Sequence, residues 1–157
     1  MPGEYETETV TRLETNLDDL SPEITGAVTQ MLLEAGALDV WLTPIQMKKG
    51  RPGVTLSLLC EETLANALAD IIFRETSAFG LRKEQVFRLK LQRNFREVKT
   101  AFGPVTVKLG MKGDEVVQCA PEFESCRALA QTSQQPLHQI YQAALAACAR
   151  QADKSCE

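Results

Sequence analysis

Two aspartates stand side by side in the stretch NLDDLSPE, and Asp18, Asp19 and Glu23 crowd three acids into six residues. An acid at the start of a helix is stabilised by the unpaired amide protons there, so Asp19 and Glu23 have a structural reading as cap and first-turn residues. That reading leaves Asp18 unexplained, because adjacent like charges repel and one suffices for a cap. A hard divalent cation removes the repulsion, and Mg²⁺ in particular binds through one or two carboxylates together with phosphate oxygens. A second group of charges lies in MKKGRPG, where Lys48, Lys49 and Arg51 fill three of four positions in a turn that needs only its glycines. Arginine presents a planar fork that matches phosphate oxygens and lysine a mobile point charge, so the set can grip a polyphosphate. The plain reading is that these cations discourage edge-to-edge strand pairing. A third stretch, RETSAFGLR, brackets Phe79 and Gly80 with Glu75, Thr76, Ser77 and Arg82. Hydroxyls and backbone amides at a strand entrance can cradle a phosphate, and the same residues also make an ordinary helix end and turn.

Other chemistries find little support. The sequence contains neither a P-loop nor a GxGxxG motif. Its one histidine, His138, sits among Leu137, Ile140 and Tyr141, which suits packing or surface exposure better than a nucleophile relay or a metal ligand. Five cysteines, Cys60, Cys119, Cys126, Cys148 and Cys156, form no CxxC pair, so buried or free thiols are expected rather than disulfides. No catalytic group identifies itself.

These residues need elements to hold them. A length of 157 residues with 44% hydrophobic and 24% charged content fits one compact soluble unit. No apolar run is long enough to cross a bilayer, and the acidic start MPGEYETETV lacks the features of a signal peptide, so a cytoplasmic protein without membrane association is expected. Charge is uneven: residues 1 to 40 carry nine acids and one base, whereas residues 82 to 99 carry seven bases and two acids. The net charge of −4 argues against a general nucleic-acid binder, although a local basic stripe can hold a small phosphorylated ligand. RNA binding through the sheet needs aromatic residues on the central strands, and GVTLSLLC and TVTRLETN have none.

Periodicity predicts a strand through VTRLETNLDD that ends at the carboxylates. A helix follows, capped by Ser21 with Pro22 at its first position, burying Ile24, Val28, Met31 and Ala35 and stopping at Gly36. ALDVWLTPIQM and VTLSLLC form a hairpin around the basic turn, with Pro44 confining its strand to an edge or bulge. A second helix runs from about Glu62 to Arg74, and LRKEQVFRLKLQRNFREVKT reads as one long strand that outruns the sheet. The order βαββαβ is that of a ferredoxin-like domain, here residues 8–99. Residues 100–152 read as an extension: a β-hairpin arm through TAFGPVTVKLG, with a short further strand in EVVQCA, and two C-terminal helices opening at Pro121 and Pro136. The extension should pack on the first domain or on a neighbouring subunit, and the tail QADKSCE should fray. The class is α+β.

Together NLDDLSPE, LLEAGALDVWLTPIQMKKGRPG, ETSAFGLR, FGPVTVKLG and PEFESCRALA resemble the C-terminal region of the LarC family, nickel-insertion proteins of lactate racemase cofactor synthesis. The resemblance implies a CTP- and divalent-metal-dependent cyclometallase that inserts nickel into pyridinium-3,5-bisthiocarboxylic acid mononucleotide, with Mn²⁺ or Mg²⁺ accompanying CTP and Ni²⁺ as the inserted metal. It also implies a homo-oligomer, a trimer or a dimer of trimers, working with an N-terminal half of the same protein. Carried onto this sequence, the metal falls to Asp18 and Asp19, and the nucleotide to Asn16, Lys48, Lys49, Arg51, Glu75, Thr76 and Arg82. One histidine offers nickel poor coordination, so this region alone is expected to bind CTP without complete insertase activity. A non-enzymatic nucleotide-sensing or oligomerisation module is the alternative, since small α+β domains of this kind often serve in that role.

Overall fold

The computed structural model describes residues 5–152, of which 150–152 are described by backbone alone. The chain divides into two compact units, one of Glu8–Arg88 and one that takes in the chain from Leu89 onward together with the start of the first strand.

In the first unit the elements run β1 (Glu6–Leu17), α1 (Pro22–Glu34), β2 (Asp39–Met47), β3 (Arg51–Cys60), α2 (Ala65–Glu75) and β4 (Arg82–Lys90). The sheet order is β2-β3-β1-β4, with β3 antiparallel to both β1 and β2. Leu13 and Val40 both lie opposite Leu58, and Thr15 and Leu42 opposite Leu56, so the period-2 pattern of three strands coincides across the sheet. Leu13, Leu17, Leu56, Leu58 and Cys60 from the strands meet Val28 and Leu32 of α1 and Ala65, Leu68 and Ile72 of α2 in one core. Pro44 is accommodated because β2 is the edge strand.

Helix α1 starts as expected, with the Ser21 hydroxyl accepting the Ile24 amide proton at 3.3 Å. Its buried stripe differs: Thr25, Val28 and Leu32 face the core, while Ile24 and Met31 are exposed. Val28 is common to the expected and the observed stripe, but on either side of it burial falls one residue later, on Thr25 and Leu32, and Ala35 is exposed. Thr25 had no apolar signal, and it is buried with its hydroxyl donating to the Ser21 carbonyl at 2.9 Å.

The second unit contains β5 (Gln92–Thr100), β6 (Gly103–Lys112), β7 (Glu115–Pro121), α3 (Phe123–Ser133) and α4 (Leu137–Ala152). Its strands form an antiparallel sheet in the order β5-β6-β7. The run read as one overlong strand breaks at Leu91 into β4 and β5, so the first unit closes at Arg88 and not at residue 99, and the expected hairpin arm is a three-stranded sheet. Alternation alone could not reveal this break, since both halves alternate. At Gly110, where the β6–β7 register shifts, a Cβ would stand 2.8 Å from Leu91 and 2.9 Å from Gln118, so only glycine fits.

Val98, Val105, Val107 and Leu109 pack with Cys126, Ile140, Ala144, Ala147 and Cys148 in a separate core. Pro121 ends β7 and does not open α3, whereas Pro136 precedes α4 as expected. The cysteine expectation is corrected for one pair. Cys119 of β7 and Cys148 of α4, 29 residues apart, form a disulfide with a Cα–Cα separation of 5.7 Å. Helix-on-sheet packing brings the pair together, and sequence spacing carried no sign of it. Cys60 and Cys126 are buried free thiols, as expected; Cys156 and most of the tail read as frayed lie outside the described residues.

Candidate nucleotide and metal site

At one end of the first unit, where β1 runs into α1, a cleft of about 530 Å³ opens. Three segments line it: Thr15, Asn16, Asp18 and Asp19 at the end of β1; Met47, Lys48 and Arg51 at the β2–β3 turn; and Ser77 through Arg82 between α2 and β4. The three stretches singled out by residue chemistry therefore converge, although more than 25 residues of chain separate each from the next.

Local geometry explains the convergence. Leu17 pairs with Val54 in the β1–β3 ladder, next to Gly53. A Cβ on Gly53 would stand 2.7 Å from the Leu17 carbonyl oxygen and 3.0 Å from Met47 Sδ, so the absence of a side chain lets the hairpin lie against the acidic strand end. The turn itself is a short 3₁₀ segment, Lys48–Gly50, in which Lys49 (φ 62°) and Gly50 (φ 67°) are both left-handed. On the other side, the buried Thr15 hydroxyl donates to the Gly80 carbonyl at 2.8 Å, and Ser77 donates to Asp19.

The helix cap belongs to Ser21, and neither aspartate performs it. Asp18 instead faces Arg51 at 3.3 Å, and Asp19 accepts from Ser77. Arg82 donates to Asn16 Oδ1 at 2.9 Å and lies 3.5 Å from Glu14, while Asn16 also accepts from Thr55 at 3.0 Å. Arg51 and Arg82 keep more than half of their side-chain surface exposed, whereas Asp18 and Glu14 keep less than a fifth. Exposed ion pairs of this kind are weak, so phosphate oxygens can take over the guanidinium groups at little cost. A cation can take over the carboxylates that are released. The donor set, two adjacent carboxylates beside exposed guanidinium groups, suits a hard divalent ion held jointly by carboxylate and phosphate oxygens. Among the described residues no three histidine, cysteine or acidic side chains converge to hold a metal by themselves.

Of the residues expected at the site, Asn16, Asp18, Asp19, Lys48, Arg51 and Arg82 line the cleft together. Lys49, Glu75 and Thr76 lie outside its lining. Glu75 pairs with Arg74 at 2.7 Å, and Thr76 ends α2, its hydroxyl donating to the Ile72 carbonyl and accepting the Ala78 amide proton at 3.1 Å. Sequence reasoning missed Glu14, which holds both Arg82 and Ser57, and Thr15, which fixes the loop. Their signal was faint: Thr15 shares a strand face with Leu13 and Leu17, marking it as inward-facing. The free thiols do not enter this chemistry. Burial raises the pKa of Cys126, and burial followed by the Glu62 charge raises that of Cys60, so both stay protonated.

Comparison with known proteins adds the family. The sequence model of the family described as "Nickel insertion protein" matches residues 1–141. The chain belongs to the nickel insertion protein family. The pyridinium-3,5-bisthiocarboxylic acid mononucleotide nickel insertion protein of Clostridium acetobutylicum is 46% identical over 131 residues, which are 83% of this chain and 31% of that protein. Its namesake from Clostridium kluyveri is 45% identical over 129 residues, 82% of this chain and 32% of that protein. The chain thus spans about a third of the length of these relatives. Among solved structures, the fold is similar to the apo form of LarC2, the C-terminal domain of a cyclometallase involved in synthesis of the NPN cofactor of lactate racemase. That match has a TM-score of 0.83 and 40% identity, and covers 90% of this chain and 98% of that one. A Methanopyrus kandleri protein, MK0293, matches with a TM-score of 0.64 at 25% identity, covering 90% of this chain and 89% of that one.

Proposed function

We propose that this chain is the CTP- and divalent-metal-binding C-terminal domain of a CTP-dependent nickel insertase. The full protein inserts Ni²⁺, its metal substrate, into pyridinium-3,5-bisthiocarboxylic acid mononucleotide. The observation that carries the reading is the convergence of Asp18 and Asp19 with Asn16, Lys48, Arg51 and Arg82 around one cleft. Three cations roughly balance a triphosphate once Mn²⁺ or Mg²⁺ has neutralised part of its charge, and exceed what a monophosphate needs. Asp18 and Asp19 would hold the cation, which would offset part of the phosphate charge, and Arg51 and Arg82 would exchange Asp18 and Glu14 for the phosphates. Lys49, one residue from the cleft lining, adds long-range attraction.

Nickel and the pincer precursor need donors beyond this chain, and an N-terminal half of the same protein supplies them. We place the working form in a cytoplasmic homo-oligomer, a trimer or a dimer of trimers, in which the second unit packs on a neighbour. The similarity to LarC2, described as part of a cyclometallase, supports the enzymatic reading over a nucleotide-sensing module.

Calorimetry with CTP, UTP and CMP, each with and without Mn²⁺ or Mg²⁺, tests the site. CTP should bind only with the divalent ion and far more tightly than CMP, and Arg51→Ala should weaken CTP and UTP alike. Equal affinity for CMP and CTP, or Arg51→Ala leaving affinity unchanged, overturns the triphosphate assignment.

A further inference from the structure

Phe79 is the most exposed large apolar side chain among the described residues, with 105% relative exposure; the next, Phe87, has 75%. A single exposed apolar residue on a mobile loop needs no explanation, but this loop is tied down on both sides of the ring. The Ala78 amide is held by the Thr76 hydroxyl at 3.1 Å and the Gly80 carbonyl by the Thr15 hydroxyl at 2.8 Å, while Ser77 donates to Asp19. Ala78 and Leu81 pack against the buried core. The backbone therefore presents the ring to solvent from a fixed position. Gly80, beside it, has nothing within 4 Å of where a Cβ would stand, so the approach to the ring is open.

The location supplies the ligand chemistry. Phe79 lines the same cleft as Asp18, Asp19, Lys48, Arg51 and Arg82, and it is the one aromatic residue in that lining. Carboxylates and guanidinium groups can grip phosphates and a cation but give a planar ring nothing to lie against. We infer that Phe79 is a stacking platform for the planar heteroaromatic ring of a phosphorylated nucleoside bound in this cleft. The inference rests on reading the cleft as a nucleotide site and adds the ring-binding element that the charged residues lack. Two rings share this chemistry: the pyrimidine base of CTP and the pyridinium of the mononucleotide named for the Clostridium relatives. A cationic pyridinium gains further from the negative face of the phenyl ring.

The test measures Mn²⁺-dependent affinity for CTP, for inorganic tripolyphosphate, which has no ring, and for nicotinamide mononucleotide as a pyridinium probe. The proteins compared are the unmodified chain, Phe79→Ala and Phe79→Tyr. Removing a base-stacking aromatic costs roughly tenfold in affinity. Phe79→Ala should show that loss for one ring-bearing ligand, leave tripolyphosphate unchanged and retain the melting temperature, and Phe79→Tyr should restore binding. A loss confined to CTP assigns the platform to the nucleobase; a loss confined to nicotinamide mononucleotide assigns it to the pyridinium. Equal losses for tripolyphosphate and CTP overturn the inference, because the residue then acts through loop geometry. Unchanged affinity for both ring-bearing ligands overturns it as well, and a drop in molecular mass by light scattering in that case assigns Phe79 to a contact between copies. If the unmodified chain binds none of the three ligands, the nucleotide reading of the cleft fails first and the stacking assignment with it.

Discussion

Both units pack two helices against an antiparallel sheet, yet they differ in what they do with polar groups and in what fixes their helices. In the first, buried threonines on β1 tie neighbouring segments together, Thr15 to the loop before β4 and Thr11 to Glu62 in the short 3₁₀ turn that precedes α2. The strand ends then carry exchangeable ion pairs around an open cleft. In the second, the buried set consists of valines, alanines, a leucine, an isoleucine and two cysteines, and a disulfide joins β7 to α4. Its groove, lined by Pro121, Phe123, Leu137, His138, Tyr141 and Gln142, is mostly apolar. The contrast sets an end whose polar side chains already have partners they can give up, as the proposed nucleotide site requires, against one held by packing. A scaffold is better served by apolar packing and a covalent tie.

The largest effects that would sharpen this division come from the two cores. Leu58 and Ile140 are each fully buried, Leu58 opposite both Leu13 and Val40, Ile140 among Val98, Val105 and Val107 in the second core. Truncation of either to alanine should cost about 3 kcal/mol, as read from denaturant unfolding. Nucleotide affinity, measured well below the unfolding transition, should fall for Leu58→Ala and hold for Ile140→Ala. Equal losses of affinity would break the assignment of binding to the first unit.

The disulfide comes next. Closing a loop of 29 residues restricts the unfolded chain by up to about 3.6 kcal/mol in the entropic account. Cys119→Ser, or a reductant, should lower the melting temperature with little change in CTP affinity. A variant with unaltered stability would show that helix packing alone holds α4 to β7.

A smaller effect on stability, but a selective one, is expected at the acidic pair. Neither aspartate caps α1, so Asp18→Asn should change stability by less than about 1 kcal/mol, the range of an exposed ion pair. Loss of one charged ligand should weaken Mn²⁺-dependent CTP binding by roughly tenfold. A stability loss above that range with intact affinity would return Asp18 to a structural role.

The sequence disclosed the βαββαβ order, the Ser21 cap and the charged side of the cleft, because strand alternation, cap chemistry and excess charge are local signals. It did not disclose the break at Leu91, where two alternating strands abut without a turn motif between them. Nor did it show the Cys119–Cys148 pairing, which depends on how α4 lies across its sheet. The offset of the α1 stripe has the same origin: Thr25 is buried by its place against the sheet and satisfied by the Ser21 carbonyl, while residue type alone ranked Ile24 above it. Lys49, Glu75 and Thr76 share the charge and hydroxyl chemistry of their neighbours, which residue type alone reads as one set, yet they are not among the residues that line the cleft.

The smallest expected effect tests whether the polar ties of the first unit are structural where no ligand is involved. Hydrogen bonds from Lys83, at 2.6 Å, then from Thr11, and also from Gln85 at 2.6 Å, hold the Glu62 carboxyl at about 2, below its ordinary 4.5. A depressed folded pKa means that the unfolded chain takes up the proton first as the pH falls. The stabilisation is therefore fully present above about pH 4.5 and disappears progressively as the pH drops toward 2. Glu62→Gln removes the titrating group and should flatten the acid limb of the stability curve between these values, leaving CTP affinity at neutral pH unchanged because Glu62 is not among the residues lining the cleft. An acid limb identical in Glu62→Gln and the unmodified chain would assign the loss to other carboxylates and reduce the Thr11–Glu62–Gln85 contacts to surface decoration.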